Sequence, residues 1–326
     1  MSERTTLIFG ERDVRELLTM TECIGVMEEA LASLARGEVH NPLRQMVRAE
    51  GAAGFLGLMP AYRGGASPAW GLKEICVYPN NPSRGLDTHV GTVLLHDGET
   101  GVPLAIASGS AITEIRTAAV SAVATKLLAR PDAAVLAIIG GGVQGRSHLE
   151  AIPLVRDIRE IRVVSRTREH AEALCAYDPR ARRLDSIEEA VRGADIVVTA
   201  TNSREPVVCR EWIAPGTHIN AVGSSVAHAR ELDGATVAAS SLFVDRREST
   251  VNESGDYLFA LREGSIGEGH IRAEIGEILI GKAQGRTSAD EITLFKSLGL
   301  AIEDLASVAF LYEKGRREGR GVAVSF

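Results

Sequence analysis

The sequence has few cysteines, no long apolar stretch and no excess of basic residues. Its four cysteines, Cys23, Cys76, Cys175 and Cys209, are widely spaced and include no C-x-x-C pair. This pattern predicts reduced thiols in a cytoplasmic protein and no zinc or other metal site. No segment approaches the roughly 18 consecutive apolar residues that a membrane span needs, and no apolar segment of signal length follows the first residues. A formal net charge of −7 gives no reason to expect nucleic acid or an anionic membrane as a partner.

The length of the chain, 326 residues, exceeds what one ordinary hydrophobic core organises, so two domains are expected. Hydrophobic residues make up 45% of the chain and charged residues 24%, which is typical of a globular protein. The patterns described below place a dinucleotide-binding domain over residues 121–303. Residues 1–120 and 304–326 are expected to form a second, discontinuous domain that binds substrate and mediates dimerisation.

A glycine-rich turn lies near the middle of the chain. An apolar run ends in Gly140-x-Gly142-x-x-Gly145, with Val143 and Gln144 inside the motif, and a helical pattern follows. In a dinucleotide site the first glycine makes the tight turn, the second lets the backbone approach the phosphates, and the third allows close packing of helix on strand. The following helix N-terminus supplies N–H donors. The motif and its context therefore predict a nucleotide cofactor, and the alternative is a structural glycine turn.

Apolar strands alternate with helical segments after residue 134. The candidate strands are Val135–Ile139, Ile161–Ser165, Ile196–Ala200, His218–Val222 and Leu242–Asp245. The candidate helices between them are Gln144–Leu154, Arg168–Ala176 and Ile187–Arg192. This βαβ rhythm predicts an α/β fold with a Rossmann-type, doubly wound parallel sheet and the cofactor at the carboxyl edge of its strands.

The first 120 residues have a different pattern, which predicts an α+β domain. A helix is expected over Glu11–Ala35 and strands over Gly54–Pro60, Trp70–Tyr78 and Thr92–His96. A long helix over Thr113–Arg130 leads into the nucleotide domain. Near the end of the chain, Thr293–Lys314 has a helical pattern broken around Gly299, and we expect this segment to return to the first domain.

The end of the second predicted Rossmann strand carries no carboxylate. An NAD site usually places Asp or Glu there to bind the ribose 2′-hydroxyl. Here the strand ends in Ser165, Arg166 and Thr167, which offer a guanidinium fork and two hydroxyl groups. Since an arginine attracts the 2′-phosphate that an acid would repel, the sequence predicts a preference for NADP(H) over NAD(H). The alternative is that Arg166 is a solvated surface residue.

Several further motifs make the chain resemble the ornithine cyclodeaminase/mu-crystallin family over nearly its whole length. They are residues 114–132 (EIRTAAVSAVATKLLARPD), the Gly140–Gly145 turn, Met59-Pro-Ala-Tyr62, Gly71-Leu-Lys73, Ala221-Val-Gly-Ser-Ser225 and Arg230-Glu-Leu-Asp233. The resemblance implies a homodimeric, NAD(P)-dependent enzyme that acts on amino acids or their imines. Activities of the family include ornithine cyclodeamination, alanine dehydrogenation and reduction of cyclic ketimines.

The resemblance also implies a set of substrate residues. Arg44 matches the arginine that binds the substrate carboxylate, and Arg116 matches a second arginine near substrate and cofactor. Both roles suit a guanidinium group, which binds carboxylates in a bidentate manner. Lys73 ends an apolar strand segment, where a lysine is costly unless it is paired, and it matches a lysine that faces the reacting carbon–nitrogen centre. Met59 and His89 are expected near the substrate, although a core methionine and a structural histidine would look the same.

A second implied set lies near the dinucleotide. Five of its members are expected at helix or strand ends that face the cofactor: Thr117, Thr201, Asn202, Val222 and Gly223. The resemblance adds Arg116 and Gly299 to this set. The absence of a side chain at Gly299 is expected to admit the nicotinamide ring.

Ser225 decides between the chemistries of the family. The cyclodeaminase and alanine dehydrogenase branches carry an aspartate at the matching position, which can remove a proton from an amine. A serine without a paired base cannot do this near pH 7. The ketimine reductases resemble this chain in having serine there, and Ser225 joins Lys73, Arg44 and Arg116 as a candidate catalytic residue.

The sequence therefore favours NADPH-dependent reduction of small cyclic α-imino acids. Three alternatives stay open: an NAD(P)-dependent amino-acid dehydrogenase or opine-type condensing enzyme, an ornithine cyclodeaminase, and a cofactor-binding protein without catalysis.

Overall fold

The computed structural model describes residues 5–325. Its strands are β1 (Thr5–Phe9), β2 (Val39–His40), β3 (Gln45–Val47), β4 (Phe55–Arg63), β5 (Ala69–Val77), β6 (His89–Asp97), β7 (Pro103–Ser108), β8 (Val135–Ile139), β9 (Glu160–Val164), β10 (Ala181–Arg183), β11 (Ile196–Thr199), β12 (His218–Ala221), β13 (Ser241–Val244), β14 (Ile271–Glu274), β15 (Thr293–Lys296) and β16 (Val322–Ser325). Its α-helices are α1 (Glu11–Leu17), α2 (Met20–Ala35), α3 (Gly109–Leu128), α4 (Val143–Ala151), α5 (Arg168–Cys175), α6 (Ile187–Val191), α7 (Gly234–Ala239), α8 (Arg247–Glu253), α9 (Gly255–Arg262), α10 (Ile275–Leu279) and α11 (Ala301–Glu318).

The chain forms two compact units. The described residues up to Arg116, together with those from Leu300 onward, make the first unit, and Thr117–Gly299 make the second. These boundaries fall a few residues before those drawn from the sequence at 120 and 303. No helix within residues 5–325 is long and apolar enough to cross a membrane.

The first unit is built on a mixed sheet with strand order β16-β1-β7-β6-β5-β4-β2, and β3 also pairs with β4. Helix α11 packs against β4, β5, β6 and β7. Its approach to the sheet requires a glycine, since a Cβ on Gly71 would lie 2.8 Å from the side chain of Leu305. The C-terminal helix is therefore part of the core of the N-terminal unit.

The second unit contains a sheet with order β10-β9-β8-β11-β12-β15-β13-β14 in which every strand pair is parallel. The chain order reverses between β8 and β11, so the carboxyl ends of these strands form the topological switch point where doubly wound sheets bind ligands. Apolar residues pack on both faces of this sheet. The predicted α/β class with a Rossmann-type parallel sheet is confirmed.

The helix predicted over Glu11–Ala35 is wrong as a single element, because the structure divides it into α1 and α2. Thr19 begins the second helix as its N-cap: its hydroxyl accepts from the Glu22 N–H at 3.4 Å, and the Glu22 carboxylate accepts from the Thr19 N–H at 3.2 Å. This reciprocal capping box satisfies the new helix end.

The helix predicted over Thr293–Lys314 is also wrong in its first part, where the structure has strand β15 and only then helix α11. Strand β15 lies between β12 and β13 and is fully buried. A short apolar run of this kind cannot be told from a buried helical segment by periodicity alone.

Two histidines of the second unit are buried in neutral form. Nδ1 of His148 donates to the Gln144 carbonyl at 2.7 Å, so its Nε2 accepts from the Ser121 hydroxyl at 2.8 Å. Burial lowers the pKa of His148 to about 4 and, with the charge of Arg286 as a second cause, lowers that of His218 to about 3.

Acid should therefore destabilise the second unit. The unfolded chain takes up protons on these histidines below about pH 6.5, whereas the folded chain does not until a lower pH, so stability falls as pH decreases through that window. Each histidine should account for about 2 kcal/mol lost between pH 7 and pH 5. In urea unfolding at both pH values, His148→Gln should reduce this pH dependence, and His40→Gln, at an exposed site, should leave it unchanged. Equal pH dependence in all three proteins would contradict the prediction.

Candidate functional site

The glycine turn of the second unit connects β8 to α4 and depends on three glycines. Gly140 has a φ of +125°, and a Cβ there would overlap the carbonyl oxygen of Ala200. A Cβ on Gly145 would overlap the carbonyl oxygen of Gly140. The first glycine is thus required by the turn and the third by the packing of α4 on the turn.

Gly142 differs from the other two because, apart from its own atoms and those of its chain neighbours, no atom of residues 5–325 lies within 4 Å of the place where its Cβ would be. It is the N-cap of α4 and provides no side-chain hydrogen bond to the first turn. The space beside it and the N–H groups of the nine-residue helix form a site that suits an anionic group. Val143, the first residue of the helix, is 51% exposed. The residues present therefore fit the pyrophosphate of a dinucleotide.

A buried carboxylate, Glu231, organises the loops that follow β11 and β12. It accepts hydrogen bonds from the backbone N–H groups of Thr201 and Gly223, both at 2.7 Å, and from the Thr199 hydroxyl at 2.9 Å. Burial raises the pKa of Glu231, and the positive charge of Lys296 opposes this shift. The predicted cofactor residues Thr201 and Gly223 are thereby held at the edge of the parallel sheet by one side chain.

The Gly299 segment is fixed in a similar way by Asp245. One oxygen of this buried carboxylate accepts from the N–H groups of Leu298 at 2.6 Å and Gly299 at 2.8 Å. Gly299 has a φ of +80°, which favours glycine. Its position is thus determined by backbone geometry and by a carboxylate that the sequence analysis did not select.

Ser165, Arg166 and Thr167 follow β9. Arg166 is exposed, and the other two residues are half-buried. The Thr167 N–H donates to the Ser165 hydroxyl at 3.4 Å. Most of the other predicted residues of this unit lie in loops or in the first turn of a helix: Gln144 lies on α4, Asn202 is exposed after β11, and buried Val222 and half-buried Ser225 follow β12. Thr117 is buried in the interior of α3 and not at a helix end, because that helix begins at Gly109, before the predicted start at Thr113.

The first unit contains a cluster of four buried charges: Lys73 on β5, Arg116 on α3, and Glu303 and Asp304 in the first turn of α11. The Lys73 ammonium donates to Asp304 Oδ1 at 3.1 Å and to the Thr113 hydroxyl at 2.6 Å. Arg116 donates from Nε to the same Asp304 oxygen at 3.2 Å and from Nη1 to Glu303 Oε2 at 2.7 Å. No residue of the four is more than 4% exposed.

Local structure explains why these groups meet. Lys73 pairs in register with Met59 on β4 and with Val93 on β6, so it points to the sheet face that Gly71 opens to α11. The first turn of α11 is fixed by Asn41, whose side-chain oxygen accepts from the Ile302 N–H at 2.9 Å. The acid pair is therefore placed over the lysine by a cap from the N-terminal part of the chain.

The electrostatic environment perturbs Lys73. Burial lowers its pKa to about 8; Asp304 opposes the shift, and the charges of Arg116 and Arg44 add to it. His89 opens β6 on the same face as Lys73, and desolvation and the lysine charge lower the pKa of this histidine. The strand register thus places Lys73, Met59 and His89 on one face of the sheet, and Arg116 donates to the same Asp304 carboxylate as Lys73. The charge of Arg44 also acts on Lys73. The substrate roles that the resemblance implies for these five residues stay predictions.

Sequence reasoning missed the partners of these cations. Glu303 and Asp304 stand together in the apolar run Leu298–Leu311, where two acids should cost free energy unless they are paired. That pattern was an available signal for a buried site. Thr113 and Glu231 offered no comparable signal. Within residues 5–325, no group of three or more His, Cys, Asp or Glu residues could hold a metal ion.

Comparison with known proteins gives consistent results across the chain. A family model described as the ornithine cyclodeaminase/mu-crystallin family matches residues 4–319. Ketimine reductase mu-crystallin of Mus musculus is 40% identical over 317 residues, which are 96% of this chain and 98% of that protein.

Two solved structures share the fold over their full length. The Thermococcus litoralis Delta(1)-pyrroline-2-carboxylate reductase, in complex with NADH and L-proline, superposes with a TM-score of 0.94 at 42% identity and covers 98% of this chain and 100% of its own. An archaeal alanine dehydrogenase dimer with bound NAD gives a TM-score of 0.93 at 35% identity, covering 99% and 100%.

Proposed function

The chain belongs to the ornithine cyclodeaminase/mu-crystallin family, and from this premise we propose that it reduces small cyclic α-imino acids to cyclic amino acids. It is an NAD(P)H-dependent oxidoreductase that acts on carbon–nitrogen bonds. The observation that carries the proposal is the buried Lys73 ammonium, held near two arginines, in a chain with serine at position 225.

The residues of the first unit suit an imino acid. Arg44 and Arg116 provide guanidinium groups for the substrate carboxylate. Lys73 uses two of its three N–H donors on Asp304 and Thr113, so its third N–H can be directed to the substrate. Protonation of the imine nitrogen makes the adjacent carbon electrophilic, and addition of a hydride to that carbon yields the amine. Met59 and His89 would line the same pocket and orient the ring.

The residues of the second unit suit the hydride donor. A reduced nicotinamide dinucleotide supplies the hydride when it is bound. Gly140, Gly142 and Gly145 would accommodate its pyrophosphate at the N-terminus of α4. The loops that Glu231 and Asp245 hold in place would border its remaining parts.

Ser225 favours reduction over cyclodeamination. Cyclodeamination requires removal of a proton from an attacking amine, and within residues 5–325 the Ser225 hydroxyl donates no identified hydrogen bond to a base that could activate it. Reduction of a preformed imine needs no base at this point. An amino-acid dehydrogenase is the second candidate, since the archaeal alanine dehydrogenase has the same fold at 35% identity.

We propose that NADPH is the preferred donor. The support is the exposed Arg166 between Ser165 and Thr167, with no carboxylate among these three residues. The solved relatives named above contain NADH and NAD, so this preference is a property we assign to this chain through Arg166. The wide spacing of the four cysteines is the support for a cytoplasmic location, which is part of the proposal.

We also propose a homodimer, formed through the sheet face opposite α11. An apolar row crosses four strands on that face through the register positions Pro60, Leu72, Leu94 and Ile106. Beside it, Trp70 is 48% exposed and contacts the Tyr62 ring with centroids 4.6 Å apart. The four residues of the row are half-buried, and an apolar face that remains partly exposed in this way is a candidate protein interface. The alanine dehydrogenase with the same fold is a dimer, which supports a second copy as the occupant.

Steady-state assays should show oxidation of NADPH with Δ1-pyrroline-2-carboxylate or Δ1-piperideine-2-carboxylate at mildly acidic pH. The Lys73→Met variant should lose at least about 100-fold in kcat/KM, because both orientation and proton supply are removed. Pyruvate with ammonia distinguishes the dehydrogenase, and release of ammonia from ornithine distinguishes the cyclodeaminase. No oxidation with either imino acid would reject the proposal.

Arg166→Ala should raise the KM for NADPH at least about tenfold and change the KM for NADH less than about twofold, since only NADPH carries the 2′-phosphate. Arg168→Ala is the matched control, because Arg168 is also exposed and pairs with Glu172. An equal effect of Arg166→Ala on both dinucleotides would contradict the assigned role.

Leu72→Glu should convert the dimer to a monomer in analytical ultracentrifugation, because it places a charge in the centre of the apolar row. Leu154→Glu, on a half-exposed leucine of the second unit, should leave the mass unchanged. A wild-type protein that is monomeric at micromolar concentration would overturn this interface.

A further inference from the structure

Asp304 is the residue that joins the two cations of the first unit. Its Oδ1 accepts from Lys73 Nζ at 3.1 Å and from Arg116 Nε at 3.2 Å. Its Oδ2 is buried and has no hydrogen-bond partner among residues 5–325. The carboxylate therefore contacts the proposed proton source directly and shares its contacting oxygen with an arginine.

We propose that Asp304 is the positioning residue for Lys73: its carboxylate fixes the direction of the ammonium group and keeps that group protonated for the substrate. The inference rests on the proposed function, because it assigns Asp304 a role in that same reaction. It goes further by naming the residue that sets the protonation state of the lysine.

The start of helix α11 holds Asp304 in place. It lies in the first turn of α11, where the helix dipole favours a negative charge. Asn41 caps the same turn through the Ile302 N–H. Asp304 is 0% exposed and Lys73 only 3%, so water has little access to the ammonium group and a charged Lys73 needs a nearby anion.

Glu303 provides a matched comparison. It precedes Asp304 in the same turn, it is buried to the same degree and it also accepts from Arg116, at 2.7 Å. The Lys73 ammonium, however, donates its hydrogen bond to Asp304. The two acids therefore differ in their contact with the lysine more than in their contact with the arginine.

The groups around Lys73 shift its pKa in opposite directions. They are Asp304 and Glu303 on α11, Arg116 and Thr113 on α3, Arg44 before β3, His89 on β6 and, beside Arg116, Cys23 on α2. Burial and the two arginines favour neutral lysine, and Asp304 is the leading influence in the other direction. Loss of the Asp304 charge should therefore shift Lys73 toward its neutral form near pH 7.

The experiment compares Asp304→Asn with Glu303→Gln in the full-length protein. Each replaces a carboxylate by an amide of similar size. The Lys73 pKa is measured from the NMR titration of protein labelled with 13C at lysine Cε, with the resonance assigned by Lys73→Arg. The chain has five lysines, which keeps the spectrum simple, and buried Lys296, paired with Asp256, is an internal reference.

Asp304→Asn should lower the Lys73 pKa by at least about one unit, and Glu303→Gln should lower it by less than half as much. Equal shifts in the two variants, or no shift with Asp304→Asn, would overturn the proposal. If Asp304→Asn does not fold, the wild-type protein still decides: the Asp304 carboxyl carbon should respond with the midpoint of Lys73, and an absent response rejects the pairing.

A kinetic measurement separates positioning from a general structural role. In Asp304→Asn the amide oxygen can still accept from a protonated Lys73 and keep its direction, whereas the negative charge is lost. With imino acid and NADPH, the variant should therefore retain most of its kcat/KM near pH 6 and lose about fivefold relative to wild type at pH 8, because more Lys73 is neutral there. A loss of the same size at both pH values would mean a structural role only. If wild type does not turn over imino acids, the proposed function fails, and the NMR titration still tests Asp304.

Discussion

The burial of charge beneath α11 is the constraint on which the first unit depends. Removing an ion from water costs several kcal/mol, and breaking a buried pair leaves an uncompensated charge that costs about 3–5 kcal/mol. Lys73 and Arg116 balance Glu303 and Asp304, and each cation has a carboxylate within hydrogen-bond distance. The sheet, α3 and α11 must therefore assemble together, because any two of them without the third would leave a buried charge uncompensated.

In the second unit, buried carboxylates bind backbone N–H groups rather than cationic side chains. Backbone N–H groups that follow the last residue of a parallel strand have no partner in the neighbouring strand. Burying such a group without a hydrogen-bond partner costs free energy. Glu231 satisfies two such groups, and Asp245 satisfies two more around Gly299. Asp256 in turn accepts from the N–H groups of Glu231 and Leu232 and pairs with Lys296. Three buried acids thus hold the backbone of these loops in place through hydrogen bonds.

The sequence is informative where a pattern is local. The strand β8, the glycine turn and the order of the Rossmann elements follow from short-range periodicity and from the steric needs of Gly140 and Gly145. Lys73 is recognisable because a lysine inside an apolar strand demands a partner. The sequence does not show which residues supply that partner, since Lys73 and Asp304 are separated by 231 positions. The sequence predicts a helix at β15 for a related reason: the strand is defined by its pairing with β12 and β13, which the local pattern does not show.

The first unit combines two separate parts of the chain, and the ion pairs between these parts explain why both are needed. The N-terminal part of the chain supplies Lys73 and Arg116 on elements that are otherwise apolar and closely packed. Without α11, Lys73 would lose its pairing with Asp304, and Arg116 would lose both of its identified carboxylate partners. The chain must therefore return to the first unit after Gly299, because Glu303 and Asp304, which balance the two cations, lie beyond that glycine. The cap from Asn41 to Ile302 fixes the point of return, so that the helix begins where its first turn meets the lysine.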